Sequence, residues 1–164
     1  METRRASEVE AERLVEAYAD LILRLSYTYL KSTHDAEDVC QTVLLKLMGA
    51  RTRFEGPKHE KAWVVRTTAN ACKDVLRSAR RRTSVALDAV AEAAAPEVPD
   101  SAVLEAVMEL SQPFREALYL HYYEGYTARE IADMTGGTED AVAARLSRGR
   151  KKLRALLEGA DDDR

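Results

Sequence analysis

The stretch TAREIADMTGGTEDAVAARLSRGRKKLRALL, Thr127 to Leu157, reads as helix, tight turn, helix. Thr127 with Glu130 three residues on is a capping box, which satisfies backbone N–H groups at a helix start. The TGG that follows breaks the periodicity and turns the chain. Thr138 then caps a second helix, with Glu139 and Asp140 in the first turn, where the helix dipole favours acids. At 100° per residue, Ile131, Ala132, Val142, Leu146 and Leu153 share an inner seam. The outward face of the second helix carries Asp140, Ala144, Ser147, Arg148 and Lys151. Small outward residues let a backbone approach a major groove, and basic ones reach phosphates or guanine edges. A plain helical hairpin with a solvated basic face fits the same residues.

The rest of the chain repeats that 3.6-residue period, and no convincing alternating run appears. The expected fold class is all-α: two small helical domains joined by a flexible acidic linker, the second holding the helix-turn-helix. The first domain spans 8–82. It has a helix over about 8–31, a second from an N-cap at Ser32 or Thr33 to about Met48, a loop GARTRFEGP, and a third helix from about Glu60 to Arg82. The linker, 83–100, is TSVALDAVAEAAAPEVPD, free of Lys and Arg and broken by Pro96 and Pro99. Its composition is that of a spacer. The second domain spans 101–158. Ser101 caps a helix to about Leu110, Pro113 opens the next, and Gly125 ends it. The tail DDDR is expected to fray.

Charge is segregated behind a net value of −3. Residues 51–83 hold ten Lys/Arg against three acids, residues 84–126 one Arg against eight acids, and residues 145–154 six Lys/Arg and no acid. A polyanion responds to the local potential within about a Debye length, so this alternation matters more than the total. No apolar run reaches the roughly 18 residues of a membrane span, and no membrane insertion is expected. The first twenty residues are not followed by an apolar h-region, so no signal peptide is expected and the protein is read as cytoplasmic. Cys40 and Cys72, with no CxxC, read as reduced core thiols. His34, His59 and His121 are scattered, with no zinc-ligand spacing.

Two further helix faces bear on function. DAEDVCQTVLLKL, Asp35 to Leu47, has the apolar stripe Ala36, Val39, Cys40, Val43, Leu44 and Leu47. Its opposite face carries Glu37, Asp38, Gln41, Leu45 and Met48. An outward Leu and Met among acids look like an interface, apolar at the centre and charged at the rim. The acids alone also suit a helix N-terminus. In the helix from Lys61 the stripe is Val64, Val65, Thr68, Ala71, Cys72, Val75 and Ala79. Opposite lie Trp63, Arg66, Asn70, Lys73, Arg77 and Arg81. Aromatic faces stack on bases of a single strand while Lys and Arg follow phosphates, and Asn can read a base edge. Trp63 can equally pack against the first helix, or bury one side and offer the other.

These blocks, in this order, resemble bacterial RNA polymerase sigma factors of the extracytoplasmic-function group. DAEDVCQTVLLKL is similar to the family's polymerase-docking helix. RFEGPKHEKAWVVRTTANACKDVLRSARRR is similar to its promoter-melting segment, and FREALYLHYYEGYTAREIADMTGGTEDAVAARLSRGRKKLR to its C-terminal promoter-binding domain. The resemblance implies that Asp35, Glu37, Asp38, Gln41 and Leu45 contact a coiled coil of the polymerase β′ subunit. It implies that Phe54 and the loop to about Ala62 capture a flipped base of the minus-ten element. Trp63, Arg66, Asn70, Lys73, Arg77 and Arg81 would then lie along the same strand. Thr138, Ala144, Arg145, Ser147, Arg148 and Lys151 would bind the minus-thirty-five element, and the second domain would also meet the β flap. The linker would thread toward the RNA exit path. Core RNA polymerase, promoter DNA and an anti-sigma factor are the implied partners; no catalytic residue, cofactor or metal is implied. The chain departs from the family pattern at Glu60, often aromatic, and at Thr135, Asp140, Ala141 and Ala143, usually Leu, Gly, Thr and Lys.

Two other classes remain open on the residues alone. A stand-alone helix-turn-helix regulator would use the first domain for dimerisation or ligand binding. A metal-dependent phosphohydrolase would use the His34-Asp35 dipeptide with Glu37 and Asp38, but it needs further His and Asp ligands.

Overall fold

A computed structural model describes residues 1–83 and 101–162, so the expected linker lies, from residue 84 on, outside the described residues. Every regular element among them is helical, as the periodicity requires. Helix α1 is Glu2–Leu30, α2 Thr33–Gly49, α3 Pro57–Thr83, α4 Ser101–Glu109, α5 Gln112–Leu118, α6 Ala128–Thr135 and α7 Glu139–Asp162. Helices α1 to α3 form one compact unit and α4 to α7 another.

In the first unit α1 packs against both α2 and α3. It starts six residues earlier than the apolar pattern suggests. Its first buried residue is Leu14, and everything before Ala11 is exposed. That polar turn carries ion pairs on its surface, Arg4 with Glu8 and Glu10 with Arg13. Exposed pairs of this kind are screened by solvent and contribute little to folding, whereas fully burying one large apolar side chain contributes about 1.5–3 kcal/mol. The unit therefore rests on the later part of α1, whose Leu21, Ile22, Leu25 and Tyr29 are buried, as are Val39 and Val43 of α2 and Val64 and Val65 of α3. Lys31, at φ 52°, closes α1 with its N–H donated to the Tyr27 carbonyl. Ser32 caps α2 at once, its hydroxyl accepting from the Asp35 N–H at 3.2 Å. The loop is short because Pro57, whose missing N–H costs nothing at a first helical position, already belongs to α3.

In the second unit α7 packs against α4, α5 and α6. The helix expected to run unbroken from Pro113 changes pitch: residues Tyr119–Tyr123 form a π-helical turn, burying Tyr119 and Leu120 and stacking Tyr119 on Tyr123 at 5.5 Å. Such wide turns occur mostly as single insertions and leave no periodicity signal in five residues. The chain then reverses through Gly125, at φ 75°. Thr127 and Glu130 make the expected capping box, and Gly136 and Gly137, at φ 85° and 108°, form the turn between α6 and α7. Only glycine enters that region without steric cost. Arg115 is buried and donates to the Leu110 carbonyl at 2.6 Å, tying α5 to the end of α4.

Candidate docking face and nucleic-acid interfaces

Helix α2 sorts its residues as the 100° projection requires. Ala36, Val39, Cys40, Val43, Leu44 and Leu47 are buried; Glu37, Asp38, Gln41, Leu45 and Met48 are exposed. Leu45 is 61% and Met48 44% accessible. Asp35 is only half-exposed, because Ser32 holds the first turn where Asp35 begins. His34 stands 3.7 Å from Asp38 on the open surface. Among the described residues no group of three or more His, Cys, Asp or Glu converges as a metal site. No helix among them is long and apolar enough to cross a membrane.

Helix α3 buries Val64, Val65, Thr68 and Cys72, and also Ala69, which the stripe had omitted. Ala71 and Val75 are half-buried and Ala79 exposed. The stripe fades because α3 outruns the core: among its described side chains the last buried one is Cys72. On the other side Arg66, Asn70, Arg77 and Arg81 are exposed, while Trp63 and Lys73 are half-buried. Trp63 meets Phe54 edge to face at 5.9 Å, and Phe54 meets His59 in the same way at 5.4 Å. The indole is thus held by a loop aromatic rather than sealed in the core. His59 in turn accepts the Glu55 N–H at Nδ1, 3.1 Å, which fixes the loop against α3. Arg77 is 3.4 Å from Asp74.

Glu60 has a partner that no sequence pattern discloses. Its carboxylate accepts from Arg13 Nη1 and Nη2 at 3.1 and 3.0 Å and from the Tyr18 hydroxyl at 2.5 Å. The Arg13 guanidinium holds the Glu60 carboxyl below its ordinary range against the opposing pull of burial, and the Tyr18 hydroxyl adds a smaller lowering. Where the resemblance leads one to expect an aromatic, a charged clamp ties α3 to α1.

In the helix-turn-helix, Thr138 caps α7 by accepting from the Ala141 N–H at 3.1 Å. Val142 and Leu146 are buried against α6 residues Ile131 and Ala132, and Leu153 is half-buried. Asp140, Ser147, Arg148 and Lys151 are exposed. Ala144 is half-buried and Ala143 exposed, and Arg148 Nε donates to the Ala144 carbonyl at 3.4 Å. Arg145 is also half-buried. Thr135 is buried and settles its hydroxyl on the Ile131 carbonyl at 2.7 Å. Tyr122 and Tyr123, not singled out by the sequence, are 55% and 48% accessible, and Arg150 donates to the Tyr122 hydroxyl at 3.2 Å.

Comparison with known proteins adds three findings. Two family models match, Sigma-70 region 2 over residues 14–82 and Sigma-70, region 4 over residues 100–153. RNA polymerase sigma factor CarQ of Myxococcus xanthus is 33% identical over 74% of this chain and 74% of its own. ECF RNA polymerase sigma factor SigM of Mycobacterium tuberculosis is 30% identical over 82% of this chain and 70% of its own. A solved structure, sigma factor RpoE in complex with the anti-sigma factor NepR from Bartonella quintana, aligns at a TM-score of 0.73. It covers 90% of this chain and 96% of that one at 23% identity, a likeness of fold.

Proposed function

This chain belongs to the extracytoplasmic-function group of RNA polymerase sigma factors, and from that premise we propose how its surfaces divide the work of transcription initiation. The first unit, residues 8–82, docks on core RNA polymerase through Leu45, ringed by Asp35, Glu37, Asp38 and Gln41, with the β′ coiled coil as the receiving surface. Leu45 supplies apolar contact at the centre and the acids supply charge at the rim.

The same unit captures the displaced strand of the minus-ten element. Unstacking a base costs on the order of a few kcal/mol. Stacking on an aromatic returns about 1–3 kcal/mol per base. Trp63 and Phe54 offer the rings, Asn70 an amide, and Arg66, Lys73, Arg77 and Arg81 a basic track for phosphates. The second unit, residues 101–158, places α7 at the minus-thirty-five element, with Thr138, Ala144, Arg145, Ser147, Arg148 and Lys151 toward the duplex, and meets the β flap. Ala143 and Asp140 weaken that contact, since one lacks a cation and the other repels phosphate. Residues 83–100 act as the linker, and an anti-sigma factor covers these surfaces when transcription is off. The chain supplies no catalytic group of its own and needs no cofactor.

The observation that carries this reading is the exposed Leu45 and Met48 on a helix whose other apolar side chains are buried. Run-off transcription tests it. Core polymerase plus the protein is expected to give a promoter-specific product that core polymerase alone does not. No product from any candidate template would count heavily against it. A stand-alone regulator is not favoured, because the family matches cover the first unit as well as the helix-turn-helix.

A further inference from the structure

In the second unit, α7 carries an acid on the face that otherwise suits DNA. At 100° per residue Asp140 lies within about 20° of both Ser147 and Lys151, and all three are exposed. Its neighbour Glu139 is exposed too, but it is turned about 80° away from Ser147. Asp140 is thus the one of the two acids that shares a side with the candidate DNA contacts.

Asp140 does not hold the helix end. Thr138 is the cap: its hydroxyl accepts the Ala141 N–H at 3.1 Å, and its carbonyl accepts the Val142 N–H at 3.1 Å. Glu139 already places a charge in the first turn, where the helix dipole favours it. Among the described residues the Asp140 carboxylate has no hydrogen-bond or salt-bridge partner. Its acceptor capacity is therefore open. The residues that follow it on the same side are small, Ala143 exposed and Ala144 half-buried. An aspartate is short, so it touches a base only where the backbone comes close, and two alanines permit that approach.

A recognition helix meets base edges with its N-terminal residues. An ionised carboxylate accepts and cannot donate. In the major groove cytosine offers a donor, its amino group. Adenine sets a donor beside an acceptor, guanine offers two acceptors, and thymine an acceptor and a methyl group. Resting on the reading that α7 enters the upstream element, we propose that Asp140 is a specificity-determining residue there. It selects cytosine at one position of the strand it faces and rejects guanine. Its charge lowers affinity for every duplex through the phosphates and restores it only where an amino group lies in reach. Sequence discrimination at this element therefore comes from an acid as well as from the cations beside it.

The test uses the full chain bound to core polymerase and a pool of duplex DNA randomised across both promoter elements; retained duplexes are sequenced. Cytosine is expected to exceed guanine at one upstream position by at least about tenfold, the discrimination a good base contact gives. Asp140→Ala is expected to abolish that preference, leave the other positions unchanged and raise affinity for duplex of unrelated sequence. Asp140→Asn sets a donor beside the acceptor, the pattern that suits adenine, and is expected to move the preference from cytosine to adenine. Asp140 is exposed, so both variants are expected to melt as the native protein does. An upstream element in which no cytosine preference responds to either variant overturns the proposal and leaves upstream binding standing. A lower melting midpoint with base preferences intact assigns Asp140 to the helix end and also overturns it. Enrichment of a downstream element alone overturns upstream binding and the proposal together.

Discussion

Leu45 stands 61% exposed between Leu44 and Leu47, which are buried. Removing an exposed side chain costs folding little, commonly within about 0.5 kcal/mol. Leu45→Glu is therefore expected to weaken binding to core polymerase by about tenfold or more, as loss of an interface centre does, with the thermal midpoint unchanged. A binding titration beside a melting curve checks it. Trp63→Ala is expected to weaken single-strand binding by about 1–3 kcal/mol, read by competition with labelled oligonucleotide. Glu60 is expected to contribute to acid stability. Its folded pKa lies below the ordinary 4.5, so its contribution is complete above pH 4.5 and is lost as pH falls through the folded value. The stability gap between the native protein and Glu60→Gln is expected to close below that pH, by urea melts across the acid range. Leu45 was legible because helical period alone decides which side it takes. The partnership of Glu60 with Arg13 was not, since it joins residues 47 apart in sequence and depends on how α1 crosses α3.

Helix ends followed capping chemistry closely where the cap is local: Ser32, Thr127 and Thr138 each accept the N–H that their position demands. The sequence was a poorer guide where a helix is held by something other than an apolar stripe. The start of α1 carries no core residue, so periodicity could not find it. The π-helical turn at 119–123 is a packing solution with no local signature. Gly149 is a third case. It lies buried in the middle of α7, and a Cβ there would sit 3.3 Å from the Leu118 side chain and 3.5 Å from Phe114. The glycine lets α7 approach α5. Gly149→Leu is expected to destabilise the second unit by about 1–3 kcal/mol, the usual cost of overpacking, as a lower melting midpoint with the first unit's docking unaffected.

At the scale of the whole chain, the all-helical class was readable from the 3.6-residue period, and every regular element among the described residues is helical. The exposure of each cation was not readable, because it depends on neighbours: Arg145 and Lys73 are half-buried while Arg148 and Lys151 are exposed. The alternation of basic and acidic blocks makes DNA binding a counterion-release process, in which log affinity falls with log salt by about 0.9 per phosphate neutralised on duplex DNA. Replacing Arg148 and Lys151 together by Ala is expected to reduce that slope by about one to two on duplex upstream-element DNA. Binding isotherms over a salt series measure it.

The two cysteines lie in one unit, Cys40 and Cys72 both buried and neither in a disulfide, while the second unit has none. Burial pushes the Cys40 thiol up from its ordinary range, which leaves it protonated and sluggish toward electrophiles. A maleimide dye added to the intact protein should consequently tag it only as fast as the three-helix half opens. The natural chain carries its own stopwatch for that half, silent about the other.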